Sequence, residues 1–304
     1  MAVVRRFGYD DRVPAREFHP HFAPSMYDRP PVLLVNSLVA RGSVGGRAAL
    51  FALQRMGIPV TFLPTVLLPW HPGHGPGTRV AVDPRLIGDV ARALAPGEAS
   101  GCLTGYFGNG EQVDAAIALV ARLRATAPAA PVLCDPVVGD AGHFYVGADI
   151  RERVRSLAAV ADMVTPNRFE LAFLAGRDPA GLTDNAALAA AARSLGRPEV
   201  VVTSAFAGRG ETANLLVTAD HAVLATHRAF DRAPHGTGDL LAALYLGHRL
   251  DGDDPREALT RAAGATARLV ELAAGADELP LAAAQGEFLA PPLGVRLMPL
   301  DGDG

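Results

Sequence analysis

The residues with the clearest chemical potential are Gly236, Thr237, Gly238 and Asp239, a compact turn that runs straight into the apolar segment 240–246. Apolar residues at helical spacing directly after such a turn predict a helix beginning there. Glycines let the backbone approach a ligand closely, and the unpaired first-turn N–H groups, with the positive end of the helix dipole, favour phosphate. Asp239 then has two readings. A carboxylate at a helix start is ordinarily a cap; beside an anion hole it is also placed to take a proton from a hydroxyl that attacks phosphorus. Six further groups each follow a short apolar run: Ser37, Thr65, Tyr106, Asp135, Thr165-Pro166-Asn167 and Thr203-Ser204. Polar residues recurring at strand ends predict one shared rim. The Pro/Gly-rich stretch 69–78 reads as an exposed loop or flap. Its His71 and His74 have no third His or Cys nearby in the sequence, which argues against a metal site.

The elements that must position these residues alternate. Apolar runs at 32–35, 58–63, 102–104, 132–134 and 163–165 read as buried strands, separated by helical patterns at 47–56, 84–94, 111–125 and 148–157. Such alternation predicts an α/β fold, a mostly parallel central sheet layered between helices. From Glu199 the connections shorten, so 200–202, 214–217 and 222–226 are expected to be antiparallel strands at one end of the sheet. Helices over 240–249 and 255–273 follow, then a tail containing 295–297. Gly42, Gly45 and Gly46 miss the spacing of a dinucleotide-binding turn, and no acidic residue closes the next strand.

Composition narrows the chemistry. All 28 Lys/Arg positions are arginine, which excludes a Walker-type phosphate loop and a lysine Schiff base. A net charge of -4 without a basic stripe argues against nucleic acid or membrane partners. Cys102 and Cys134 sit in apolar runs, as buried thiols of a reducing compartment do, and no apolar stretch is long enough to span a bilayer, so a cytoplasmic protein is expected. The 304 residues read as an N-terminal arm, loosely ordered, over 1–30 and one domain over 31–304.

Several stretches, in order, carry a family resemblance: Asn36 to Gly42 with Val44-Gly45, Leu103-Thr104-Gly105-Tyr106, Cys134 to Asp140, Tyr145-Val146, Thr165 to Glu170, Thr203-Ser204 and Gly236 to Asp239. The chain over about 32–298 resembles the pyridoxal kinases of the ribokinase superfamily, which phosphorylate the 5′-hydroxymethyl group of vitamin B6 with ATP. The resemblance implies a ribokinase-like three-layer α/β/α sandwich and a homodimer. It also implies that Asp239 is the catalytic base, with Gly236, Thr237 and Gly238 holding the transferring phosphoryl charge. Asp140 and Glu170 would place Mg²⁺; Asp135, Thr165 and Thr203 would surround a monovalent cation such as K⁺. The nucleotide would meet Asn167, Thr203, Ser204, Thr237 and Gly238, with Tyr145 on a lid, and the vitamin would meet Ser37, Thr65 and Tyr106. The chain departs from the family pattern in its flap, at Gly46, where relatives commonly have Asn, and at His235, where an apolar residue often stands; the arm has no counterpart. Two alternatives share the fold: a hydroxymethylpyrimidine kinase of thiamine synthesis, many of which carry Cys at the position of Asp239, and a non-catalytic B6- or nucleotide-binding regulator.

Overall fold

Val32-Leu33-Leu34-Val35 shows why the chain folds in layers. Side chains alternate across a strand, and here both sets are apolar, so Val32 and Leu34 enter one core while Leu33 and Val35 enter another. The computed structural model describes residues 29–291 and 294–300; the expected arm over 1–30 lies outside the described residues except for its last two.

In chain order the first elements are β1 (Val32–Val39), α1 (Gly46–Arg55), β2 (Val60–Leu68), β3 (Val80–Ala81), α2 (Arg85–Ala93), β4 (Gly101–Thr104), α3 (Gly110–Thr126) and β5 (Val132–Cys134). A small hairpin, β6 (Gly139–Asp140) and β7 (His143–Phe144), precedes α4 (Ala148–Ala158), β8 (Met163–Val164), α5 (Arg168–Leu174) and α6 (Asn185–Ser194). The chain then forms β9 (Glu199–Ala205), β10 (Glu211–Val217), β11 (Ala222–Arg228), α7 (Thr237–Leu250), α8 (Pro255–Ala273) and β12 (Arg296–Pro299). Ten strands make one sheet in the order β12-β11-β10-β9-β8-β5-β4-β1-β2-β3. Its centre, from β2 to β9, is parallel, and β3, β10, β11 and β12 pair antiparallel at the two ends. The expected α/β/α sandwich is therefore present. No helix among the described residues is long and apolar enough to cross a membrane.

Helices α1, α7 and α8 cover one face, α2, α3 and α4 the other, and α5 and α6 close the antiparallel end. Helix α7 is buried on every side from Leu240 to His248, as a helix apolar all round must be. The sequence reading differs from the structure in several places. The tail adds β12 to the sheet edge, beside β11. Short α5 and alanine-rich α6 were not expected as separate helices, and the β6–β7 hairpin was not expected at all. The flap also holds one 3₁₀ turn, Pro72–His74, whose proline start suits that geometry.

Candidate active site

The parallel ladder puts the polar groups on one rim. Gly105 N–H bonds to the Val35 carbonyl, Asp135 N–H to Thr104, Thr165 N–H to Cys134, and Thr203 N–H to Pro166. Contrary to the expectation of strand ends, Ser37, Thr65 and Thr203-Ser204 lie within β1, β2 and β9, while Tyr106, Asp135 and Thr165 follow β4, β5 and β8.

Above this rim stands the start of α7. Gly236 is its N-cap residue at φ 93°, and a Cβ there would overlap the carbonyl oxygen of Ser43. Only glycine makes this turn and this approach together. Asp239, in the first turn, is half-buried and both its oxygens are held. The N–H of Gly45 donates to Oδ2 at 2.8 Å, and Asn36 Nδ2 donates to Oδ1 at 3.2 Å. Gly45 reaches it from φ +60°, where a Cβ would stand 2.5 Å from Ser37 Oγ. Burial raises the Asp239 pKa above the ordinary carboxylate value, and these hydrogen bonds oppose the rise. A carboxylate so held keeps lone pairs free for an incoming proton.

On the substrate side, Ser37 is buried beside Asp239's partner Asn36, and Tyr106 is half-buried at the end of β4. Thr65 differs from expectation. It is fully buried and its hydroxyl donates to the Tyr106 carbonyl at 2.6 Å, so it braces the tyrosine instead of facing open space.

On the other side lies a cleft of about 230 Å³ lined by Asp140, Asn167, Arg168, Phe169 and Ser204 among others. Asn167 caps α5: its Oδ1 accepts from Glu170 N–H at 2.9 Å, while its Nδ2 donates to the Gly139 carbonyl at 2.8 Å. Glu170 completes the reciprocal box by accepting from Asn167 N–H, and its other oxygen takes Val138 N–H at 2.9 Å. Glu170 is therefore buried, 3% exposed. Ser204 stands in the left-handed region, φ 54°, at the cleft wall. Tyr145 follows the β6–β7 hairpin and is 53% exposed.

Charge in this region is one-sided. Burial pushes Glu170 up to about 7, and the nearby Asp140 adds to the rise. Asp135 is raised by burial and by the charges of Asp239 and Glu170, with Thr165 Oγ1 donating to it at 2.9 Å. Asp135 and Glu170, each raised in part by neighbouring carboxylates and with no basic side chain among the causes, are hard oxygen donors of the kind that suits a hard cation. Among the described residues, no three His, Cys, Asp or Glu side chains converge tightly enough to cage a metal.

The flap supplies a correction. A third histidine does approach His71 and His74: the His235 ring stacks on His71 at 4.1 Å and lies 6.1 Å from His74. The three are not placed to bind a metal. Burial, then His235 and His74, lower the His71 pKa to about 4. Sequence reasoning also gave no role to Asn36 or Gly45, although both stood in quoted motifs; the polar residue within β1 was the available signal.

Residues 81–281 match the family model described as phosphomethylpyrimidine kinase. The chain is 36% identical over 278 residues to a pyridoxal kinase PdxY of Deinococcus radiodurans, covering 86% of this chain and 93% of the relative. Among solved structures, pyridoxal kinase from Entamoeba histolytica superposes with TM-score 0.82 at 22% identity, covering 90% of this chain and all of that one, a likeness of fold. Pyridoxal kinase from Leishmania donovani in complex with ADP gives TM-score 0.80 at 27% identity, covering 88% and 99%.

Proposed function

The chain belongs to the pyridoxal kinase family, and from that premise we propose that it transfers the γ-phosphoryl group of ATP to the 5′-hydroxymethyl group of pyridoxal. The observation that carries the reading is the Asp239 carboxylate, held through both oxygens at the N-terminus of α7. Asp239 takes the proton of the attacking hydroxyl, and the N-terminal N–H groups at Gly236, Thr237 and Gly238 stabilise the charge that develops on phosphorus. Ser37 and Tyr106 orient the pyridine ring, and Thr65 keeps Tyr106 in place. Asn167, Thr203 and Ser204 frame the nucleotide phosphates, and Tyr145 closes over them to exclude water.

The clustered carboxylates support a cation requirement. Asp140 and Glu170 would place Mg²⁺, and Asp135, Thr165 and Thr203 would surround a monovalent ion such as K⁺. When bound, these ions neutralise phosphate charge. The protein works as a homodimer in the cytoplasm, a reading that its two buried free thiols support for the compartment.

The test is ATP consumption with Mg²⁺ and K⁺, comparing pyridoxal, pyridoxine, pyridoxamine and hydroxymethylpyrimidine. Turnover of a B6 vitamer well above the pyrimidine is expected; turnover of the pyrimidine alone would move the protein to thiamine synthesis. Asp239→Asn should lower kcat at least about a hundredfold while nucleotide and vitamin still bind. Unchanged turnover in that variant would sink the role of Asp239. Binding of the ligands by the wild-type protein without any turnover would identify a regulator.

A further inference from the structure

The polar groups of the Asn36 side chain touch both the base and the wall of the substrate pocket. It is 2% exposed within β1, where the register with β2 shifts. Its Oδ1 accepts from Ser37 N–H at 2.7 Å and from Tyr106 N–H at 3.1 Å. Two backbone donors fix that end of the amide as oxygen, so the other end must be the NH₂ group. That group donates to Asp239 Oδ1. The neighbouring chain makes room for it: a Cβ on Gly105 would overlap the Asn36 amide.

We propose that Asn36 is a positioning residue for phosphoryl transfer, one amide that aims the Asp239 carboxylate, keeps it ionised, and ties its position to the Tyr106 wall. The inference rests on the reading of Asp239 as the base. A neutral amide donor favours the charged form of an otherwise desolvated carboxylate without neutralising it, as an arginine at the same place would. Gly45 N–H anchors the second oxygen, so the carboxylate cannot rotate away when the hydroxyl arrives. The wall that orients the ring and the base that takes the proton therefore move together. Other charged groups bear on the base as well: Asp135, at the end of β5, shares its field. Tyr145, behind the β6–β7 hairpin, lies in the same field with Asp140 and Glu170.

Two substitutions test this. Asn36→Ala removes both ends of the bridge. Asn36→Asp keeps the oxygen that holds Ser37 and Tyr106 but turns the donor into a second carboxylate oxygen. The readout is the pH profile of kcat, taken with pyridoxal and ATP. Asn36→Ala should move the acidic limb upward by about one unit, a tenfold loss per unit below the new limb, with activity partly recovered at alkaline pH. Asn36→Asp should move it further, because like charges would face each other. A uniform loss at every pH with an unmoved limb in both variants would overturn the proposal in favour of a merely structural side chain. So would wild-type behaviour of Asn36→Asp. Asp239→Asn, assayed alongside, separates the two claims. Undiminished turnover there overturns the base itself. An inactive Asp239→Asn with unmoved limbs in both Asn36 variants overturns Asn36 alone.

Discussion

Asp239 differs from an ordinary capping aspartate in what its oxygens touch. A cap accepts N–H groups from its own helix, whereas both long-range donors here come from the β1–α1 region, Asn36 and Gly45. The geometry is therefore exacting at single residues. Gly236→Ala is expected to force a side chain into the left-handed region against the Ser43 carbonyl. The cost should be roughly 1–3 kcal/mol of stability, from backbone strain. It should also cost about a hundredfold in kcat, because the base and the N–H groups shift together. Thermal melting and steady-state kinetics on the same preparation measure both; a variant with unchanged kcat would show that the turn tolerates displacement. The sequence revealed the turn because its residue types are unusual in combination. Asn36 was not legible as a partner of Asp239, because that hydrogen bond joins the first strand to the penultimate helix.

The flap and the hairpin flank the candidate site, and they are held differently. Phe144 of β7 packs on Phe169, and Arg151 lies over its ring at 4.0 Å, so the hairpin is tethered by α4 and α5. The flap is tethered to the catalytic turn by the His71–His235 stack, and Trp70 Nε1 donates to the Gly75 carbonyl within the flap. His71 falls from 6.5 to about 4 in the closed flap, so a detached flap binds more protons than a docked one. The docking contribution is complete above 6.5 and is lost as pH falls through about 4. Hydrogen-exchange protection of residues 70–78, corrected for intrinsic rates, should fall between about pH 7.5 and about pH 5, and His71→Phe should remove most of that dependence. Equal protection at both pH values in the wild type would refute the latch. Long strands buried on both faces were legible as continuous apolar runs, and α8 was read residue for residue as Pro255–Ala273. The hairpin was not, because its strands are two residues each and set by the Ala141-Gly142 turn, both at positive φ. Helix α6 gave little signal because its alanines make both faces look alike. The Asn-x-x-Glu of α5 was visible but was assigned to ligands before its capping box was recognised.

At the scale of the molecule, α7 joins the site to the core. Its first turn carries Asp239, its middle packs between α1, α8 and the sheet, and its end is pinned by a buried polar contact. Tyr245 Oη donates to Glu199 Oε2 at 2.5 Å, and Arg249 pairs with the same carboxylate at 2.8 Å. Tyr245→Phe should lower stability by about 1–3 kcal/mol, since Glu199 loses a buried donor, and leave kcat unchanged. Denaturant unfolding with parallel kinetics checks this, and a large fall in kcat would mean that strain at the far end of α7 reaches the base. The same continuity sets how the protein ages. A catalytic group on a surface loop can be lost while the fold survives, but here the group sits at the tip of the most enclosed helix. Residual activity after heating is thus a clock for the opening of the whole core. A substitution that slows that opening should therefore lengthen the half-life.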